Sequence, residues 1–131
     1  MKKIEAYLRE ESLQDVKDAL RGIGIVGMNV HLVHGHGRQG GITLAWRGTS
    51  YQMDLLPKMQ LNIFLSEHNV ERTIETIIQA ARTGAEGKEG DGVIFVLPAD
   101  DVIRISTGER GRDALQYRGD IDDLSGGKKE G

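Results

Sequence analysis

Residues 59–81 read MQLNIFLSEHNVERTIETIIQAA and contain two hydrophobic periods in succession. In the first seven residues apolar and polar side chains alternate, which is typical of a strand with one buried face. Asn69 is a suitable N-cap, and after it apolar residues recur at the spacing of an amphipathic helix. The segment therefore predicts a strand followed by a helix that stops at Gly84.

The N-terminal part of the chain contains the same strand and helix unit. Residues 1–9 alternate between apolar and polar side chains, which predicts a strand. Ser12, with Asp15 three residues later as in a capping box, predicts the start of a helix that ends at Gly22. A second strand is predicted from Ile25 to His34.

Glycines divide the remainder of the chain. Residues 35–55 contain five glycines and keep neither period for long. A loop of about 20 residues inside a compact domain is usually functional or disordered, and we interpret this one as functional. Residues 84–92 form a second glycine-rich loop, and short strands are predicted at residues 93–97 and 102–106.

This order of elements predicts an α+β fold of the ferredoxin-like βαββαβ type, an antiparallel sheet with two helices on one face. The other face mixes polar residues with Tyr7, His31, Val33 and Phe64. Large apolar patches on a monomer usually mark interfaces, so we expect this face to be buried against other subunits. Composition alone does not specify their number; we predict a homotrimer.

Composition restricts the class of function. The chain has 131 residues, enough for one domain with a modest core. Lys and Arg total 17 against 20 Asp and Glu, and this net charge of -3 argues against nucleic acid as a partner. There is no cysteine, no signal-peptide pattern and no apolar run near the roughly 20 residues that span a bilayer. We expect a cytoplasmic protein that meets a membrane only through a partner protein.

A collinear series of short motifs covers roughly residues 1–110. The motifs are MKKIEA (1–6), GIGIVGM (22–28), GHGRQGG (35–41), RGTSY (47–51), DLLPK (54–58), AARTG (80–84), GDG (90–92) and IRISTGE (103–109). Together they resemble the PII family of nitrogen-regulatory signal-transduction proteins, and such a series is far more specific than a single glycine motif. On this resemblance, residues 1–112 are a PII-like signalling domain and residues 113–131 a C-terminal extension, expected to be partly disordered.

The resemblance implies a function as well as a fold. It implies a homotrimer with a site in each cleft between subunits, where ATP and ADP compete and AMP is a further candidate. It also implies that 2-oxoglutarate binds beside Mg²⁺ and ATP, and that residues 35–55 form the family's T-loop, which contacts a partner. The chain is therefore expected to regulate nitrogen and carbon metabolism and not to be an enzyme.

Most of the candidate ligand-binding residues are glycines and cations of the type that phosphates need, since close backbone N–H groups and positive charge both stabilise phosphate. The set is Gly35, Gly37, Arg38, Gln39, Lys58, Phe64, Gly90, Asp91, Gly92 and Arg104. The resemblance implies that Gln39 is the Mg²⁺ ligand and that Lys58 pairs with 2-oxoglutarate. A side-chain carbonyl is an oxygen ligand of the kind Mg²⁺ accepts.

Three positions depart from the family pattern. Gly40, Val93 and Ser106 stand where the family usually has basic residues, and the loop before Gly90 is about three residues longer. The loss of two phosphate contacts is expected to weaken triphosphate binding. We therefore expect an atypical member with an altered preference among ATP, ADP and AMP; Lys88, Arg110 and Arg112 are candidates to replace the missing charge.

The predicted T-loop carries two candidate contact residues. Tyr51 occupies the position that is uridylylated in many bacterial members, so it is the candidate modification site, and Ser50 and Trp46 beside it depart from the family pattern. Arg47 and Tyr51 are the candidate partner-binding residues. The resemblance implies that the partner is an ammonium or other transporter or a metabolic enzyme.

Other functions remain open from the sequence. A PII-like regulator of inorganic-carbon or metal transport, sensing ADP or AMP, fits the same departures. A trimeric metal-binding protein could use His31, His34 and His36, because imidazoles bind Zn²⁺ or Cu²⁺. A slow ATPase is disfavoured, since the sequence has no cysteine, no Ser-His-Asp grouping and no paired carboxylates near a base.

Overall fold

A computed structural model describes residues 1–35, 42–46, 49–53, 56–115 and 119–123. A four-stranded antiparallel sheet has the order β2-β5-β1-β6. Its strands are β1 (Lys2–Leu8), β2 (Asn29–Gly35), β5 (Leu56–Leu65) and β6 (Gly92–Pro98), while β3 (Ile42–Trp46) and β4 (Thr49–Met53) pair as a separate hairpin. The helices are α1 (Leu13–Gly22), α2 (Val70–Ala81) and the short α3 (Arg112–Leu115).

Helices α1 and α2 pack against each other and on one face of the sheet. The core between them is built from alternate residues of β1 and β5 and from one stripe of each helix. Its members include Ile4, Ala6, Leu8, Leu61, Ile63, Leu65, Val16, Leu20, Val70, Ile77 and Ala81. The predicted ferredoxin-like α+β fold is therefore confirmed, and so is the alternation predicted for β1 and β5.

The predicted helix caps are wrong. Neither Ser12 nor Asn69 makes a side-chain capping hydrogen bond, because a single 3-10 turn precedes each α-helix and gives both residues helical backbone angles. The extended residues that begin these turns are Arg9 and Ser66. The side chain of Asn69 instead bonds to Asp122. An N-cap needs an extended backbone, and a propensity rule cannot tell an α-helix start from a 3-10 start.

Two further predictions of secondary structure are corrected. Residues 102–106 do not form a strand: a turn through Thr107 leaves only one bridge, between Ile103 and Arg110, and Ile105 is fully exposed. Among the residues that the structure describes, no strand lies beside this segment. Within the predicted 35–55 loop, ten residues form the β3–β4 hairpin, so a regular antiparallel pair interrupts the expected loop.

The second sheet face, here called the outer face, carries apolar side chains that no helix covers. It includes Phe64 on β5 and Val93, Phe95 and Leu97 on β6, all substantially exposed. Tyr7 lies among them, with its ring edge-on to Phe95 at 6.0 Å between centroids. The Tyr7 hydroxyl donates to Glu5, which raises the pKa of Tyr7 and, with the adjacent Lys3, lowers the pKa of Glu5.

The described part of the C-terminal extension packs on the domain. Ala114 and Leu115 of α3 are buried, and Asp122 is buried against the turn before α2. Among the residues that the structure describes, no helix has the length and apolar character needed to cross a bilayer.

Candidate functional site

One cluster of predicted residues forms where β5 passes the loop before β6. Lys58 lies opposite Val33 in the β2–β5 ladder, and its Nζ atom donates to the carbonyl oxygen of Gly90 at 3.4 Å. Gly35, the last residue of β2, lies beside it, since a Cβ at that position would meet Cγ of Lys58 at 3.4 Å. The structure therefore brings together Gly35, Lys58 and Gly90, three of the predicted ligand-binding residues.

Asp91 organises this loop and does not present a free carboxylate. It accepts hydrogen bonds from the backbone N–H of Thr83 (2.9 Å), the Thr83 hydroxyl and the backbone N–H of Lys88 (2.8 Å). Nε of Arg9 lies 3.4 Å from the same carboxylate. These bonds, from Thr83 first, lower the pKa of Asp91 to about 2. The residue thus closes residues 83–91 into a fixed loop next to Lys58.

Gly92 allows this loop to enter the sheet. Its φ of +131° is unfavourable for residues with a side chain, and a Cβ there would lie 2.0 Å from the carbonyl oxygen of Tyr7. Gly90, with φ +89°, also needs the freedom of glycine. Both positions therefore need glycine because of their backbone conformation, and the proximity of the GDG segment to a ligand stays a prediction.

A second cluster lies at the other end of β5. A cavity of about 430 Å³ opens between the α1–β2 turn, the outer end of β5 and the segment after β6. Its lining is Val26, Gly27, Met28, Asn29, Asn62, Phe64, Asp101, Val102, Ala114 and Leu115. The lining is mainly apolar, and the Phe64 ring lies below Nζ of Lys3, 5.9 Å from its centroid. Such a surface suits a flat ring better than a phosphate.

Arg104 belongs to this second cluster. One of its guanidinium nitrogens donates to the carbonyl oxygen of Ala114 at 2.9 Å, which ties the turn after β6 to α3. Nearby, Arg110 pairs with Asp101, and this contact, followed by the Val102 N–H, lowers the pKa of Asp101. Arg104 therefore reaches α3 within its own chain.

Those predicted ligand-binding residues that the structure describes thus divide into two groups at the two ends of β5. Lys58 and Phe64 are six positions apart on the same strand, a separation of roughly 20 Å at the rise of an antiparallel strand. The first group has the glycines and Lys58, and the second has Phe64, Arg104 and the apolar cavity. The first group has the chemistry of a phosphate site, and the second has an apolar surface suited to a ring, so each group by itself matches only one part of a nucleotide.

A family model described as "Nitrogen regulatory protein P-II" matches residues 1–109 of this chain. The chain belongs to the P-II family of nitrogen regulatory proteins. It is 53% identical over 115 residues to nitrogen regulatory protein P-II 1 of Methanothermobacter thermautotrophicus, covering 88% of this chain and 97% of the relative. It is 48% identical over 115 residues to nitrogen regulatory protein P-II of Azospirillum brasilense, covering 88% and 100%. The resemblance seen in the sequence is confirmed.

Several predicted residues cannot be placed in the P-II fold described here. Gly37, Arg38, Gln39, His36 and Arg47 lie outside the described residues. Tyr51 is in β4, opposite Leu44, but its side chain is not described. In the parts of the chain that the structure describes, no group of three His, Cys, Asp or Glu residues could hold a metal ion. His31 and His34, paired with Gln60 and Pro57, lie on opposite faces of β2.

Other residues that shape these two clusters were not predicted from the sequence. Thr83 and Arg9 fix Asp91, and residues 26–29 line the second cavity. A threonine just after a helix and an aspartate eight residues later offered a weak signal for a closed loop. The contact from Arg9 joins positions too far apart in the chain for any local pattern to indicate it.

Proposed function

We propose that this P-II family member binds ATP or ADP in clefts between subunits and signals to a protein partner through residues 35–55. The observation that carries the proposal is the division of the candidate residues between the two ends of β5. A second subunit can place its apolar cavity against the glycine and Lys58 group. Neither half contains both a phosphate site and a surface for a purine ring.

The outer face supports assembly of the chain. Phe64, Val93, Phe95 and Leu97 form an apolar strip across adjacent strands, and Phe95 is 51% exposed. An exposed strip of this kind is unfavourable in water unless another surface covers it. We propose that three copies cover one another's outer faces in a homotrimer, which would also bring the two halves of the cleft together.

The two halves differ in chemistry in the way that a nucleotide requires. The half around Lys58 has main-chain groups of Gly90 to Gly92 held in place by Asp91, which suits phosphates. The other half offers Met28, Phe64 and Val102 for the purine, together with main-chain groups of Gly27 and Asn29. Arg104 adds positive charge beside this second half.

The departures from the family pattern bear on which nucleotide is preferred. Val93 is a half-exposed apolar residue on the outer face of β6, so position 93 supplies no positive charge for the phosphates. Ser106 is exposed and uncharged. With two phosphate contacts absent, we propose that ADP or AMP competes with ATP more effectively than in typical members. This also favours the second candidate function, a regulator of inorganic-carbon or metal transport that senses ADP or AMP.

We further propose a 2-oxoglutarate site next to the nucleotide and a partner-binding surface on residues 35–55. Gln39 would hold Mg²⁺ and Lys58 would pair with the 2-oxoglutarate carboxylate, a site that Gly40 leaves with less positive charge. Residues Arg47 and Tyr51 would contact an ammonium or other transporter or a metabolic enzyme, and Tyr51 would be the site of covalent modification. We propose that the protein acts in the cytoplasm and reaches a membrane only through such a partner.

Calorimetric titration with ATP, ADP and AMP, with and without Mg²⁺ and 2-oxoglutarate, tests the proposal directly. We expect nucleotide binding in the full chain, and at least tenfold weaker binding in K58E and R104E, because each reverses a charge in one half of the cleft. Arg72→Glu, on the exposed surface of α2, is the matched control and should bind as the unaltered chain does. Unchanged affinity in both K58E and R104E would show that the cleft is placed wrongly.

A further inference from the structure

The segment Gly119-Asp120-Ile121-Asp122-Asp123 lies beyond the residues that the P-II family model matches, yet it is closely bonded to the domain. Asp122 is only 4% exposed, and Ile121 packs on the hydrophobic core. Residues 119–123 are called the strap below.

The strap holds the turn between α1 and β2. The backbone N–H of Ile121 donates to the carbonyl oxygen of Gly24 at 2.6 Å, and Oδ1 of Asp120 accepts the backbone N–H of Val26 at 3.0 Å. Gly24 has φ +94°, and a Cβ there would approach the Ile121 nitrogen to 3.1 Å. Glycine at position 24 therefore allows the strap to approach the turn this closely.

The strap also bonds to the start of α2. Oδ2 of Asp122 accepts the backbone N–H of Ser66 at 3.0 Å, and Oδ1 accepts the side-chain amide of Asn69 at 2.5 Å. Ser66 and Asn69 make no capping bonds of their own. A carboxylate is favourable near the unsatisfied N–H groups at a helix start, so Asp122 supplies from 56 residues away the acceptor that a local cap normally provides.

Within itself the strap is a closed turn. Asp120 accepts from the backbone N–H groups of Asp122 and Asp123, and the backbone N–H of Gly119 donates to Asp123. These bonds fix both carboxylates, so that Asp120 faces the α1–β2 turn and Asp122 faces the start of α2. The strap thus links the α1–β2 turn to the start of α2 through one short segment.

The α1–β2 turn continues directly into the lining of the second cavity. Val26 is both the residue bonded to Asp120 and the first of the four consecutive lining residues 26–29. Ala114 and Leu115, which precede the strap, form another part of the same lining. The C-terminal extension therefore borders the cavity and also holds the turn that forms another part of its lining.

We propose that the strap is an intrachain positioning element that sets the shape of the apolar half of the cleft, so that nucleotide affinity depends on residues 119–123. This inference rests on the proposed function for its effect on affinity. The effect on the turn itself is independent of any ligand and can be measured separately.

Two truncated chains isolate the strap. One ends after residue 123 and keeps it; the other ends after residue 118 and lacks it. We expect the first to bind ADP like the full chain and the second to bind ADP about tenfold more weakly. A tenfold loss of affinity corresponds to the free energy of about one charge-assisted hydrogen bond. Equal ADP affinity of the two truncated chains, both folded at the measuring temperature, would overturn the inference.

Point variants distinguish the loss of a single strap contact from a general folding defect in the truncated chain. Asp120→Ala removes the side-chain acceptors of the Val26 and Asp122 N–H groups and leaves the bonds from the Asp122 carboxylate to the start of α2, so it should weaken ADP binding without unfolding the chain. Glu75→Ala, an exposed carboxylate on α2, is the matched control. Full ADP affinity in Asp120→Ala would argue against positioning through the turn.

Amide hydrogen exchange separates failure of the strap from failure of the proposed function. In the full chain the amides of Val26 and Ser66 should be protected, and residues 26–29 should exchange faster in the chain that ends after residue 118. If the full chain bound no nucleotide, the proposed function would fail, and exchange alone would decide the inference. Unchanged protection of residues 26–29 would then reject it.

Discussion

Asp91 accepts hydrogen bonds from both the backbone N–H and the hydroxyl of Thr83, eight residues earlier in the chain. This pair closes the loop that carries Gly90 next to Lys58. The sequence had suggested that Asp91 contributes backbone to a ligand site. In the structure its side chain also determines where that backbone lies.

Thr83→Val tests this relationship, because valine has nearly the same shape as threonine and lacks the hydroxyl. We expect faster hydrogen exchange at the Lys88 amide and several-fold weaker nucleotide binding, since Asp91 keeps the backbone bond from Thr83 but loses the side-chain bond. Thr76→Val is the matched control; its hydroxyl donates only to the Arg72 carbonyl oxygen within α2. Identical nucleotide affinity in the two variants would exclude a role for the Thr83 hydroxyl.

The lowered pKa of Asp91 predicts how the loop responds to acid. Because the folded-state pKa is about 2 and the ordinary value is 3.8, the carboxylate stabilises the folded loop fully above the ordinary value. This contribution is lost as the pH falls from there towards about 2. An NMR titration should show the amide signals of Thr83 and Lys88 moving together with a midpoint near pH 2.

Asp91→Asn supplies the control for the titration. Asparagine does not titrate in this range, so the same amides should show no midpoint near pH 2. If the wild-type signals moved with a midpoint near 3.8, the hydrogen bonds to Asp91 would contribute no stabilisation to the loop.

Gly92→Ala should be strongly destabilising. A Cβ at this position would overlap the Tyr7 carbonyl oxygen, and the backbone conformation is strained for alanine, so we expect a loss of about 3 kcal/mol or more in the free energy of unfolding. Gly22→Ala is the control: nothing lies within 4 Å of its added Cβ, and alanine favours a helix by up to about 1 kcal/mol. Urea unfolding of both variants measures the difference; equal stabilities would refute the close approach of β6 to β1.

Phe95→Glu tests the role of the outer face in assembly. Charge in the middle of the apolar strip should dissociate the proposed trimer, which sedimentation velocity detects as a lower mass. Val96→Glu, the next residue on β6, is 44% exposed but points to the helix side of the sheet, opposite Ile4. It should keep the assembly of the unaltered chain. A trimer that survives Phe95→Glu would place the subunit interface elsewhere.

Local patterns predicted most of the fold. Alternation identified β1 and β5, and helical spacing identified α1 and α2, because the burial of one face leaves its period in neighbouring residues. The same reasoning failed at residues 102–106, where apolar and polar residues alternate but, in the described part of the chain, only Ile103 pairs, through one bridge to Arg110. It also failed at Ser12 and Asn69, since the preceding 3-10 turns depend on how the chain enters each helix.

The described candidate residues form two groups, although the sequence gives them as one set. The predicted set contains Gly35 and Gly90, which each lie beside Lys58, and it also contains Phe64 and Arg104, which lie in the other group. Motif order along a chain carries no distances, so it could not reveal the separation along β5. The cavity lining at residues 26–29 was missed for the same reason.

The amino-acid sequence alone determines the two strand–helix units, the glycine-rich loops and membership of the P-II family, because each is a property of residues close together in the chain. Contacts such as Arg9 with Asp91, and Asp122 with Ser66, are established only when the folded sheet brings distant segments together. Folding offsets the entropy of ordering those segments by burying the shared core, and no local pattern records which carboxylate then meets which N–H.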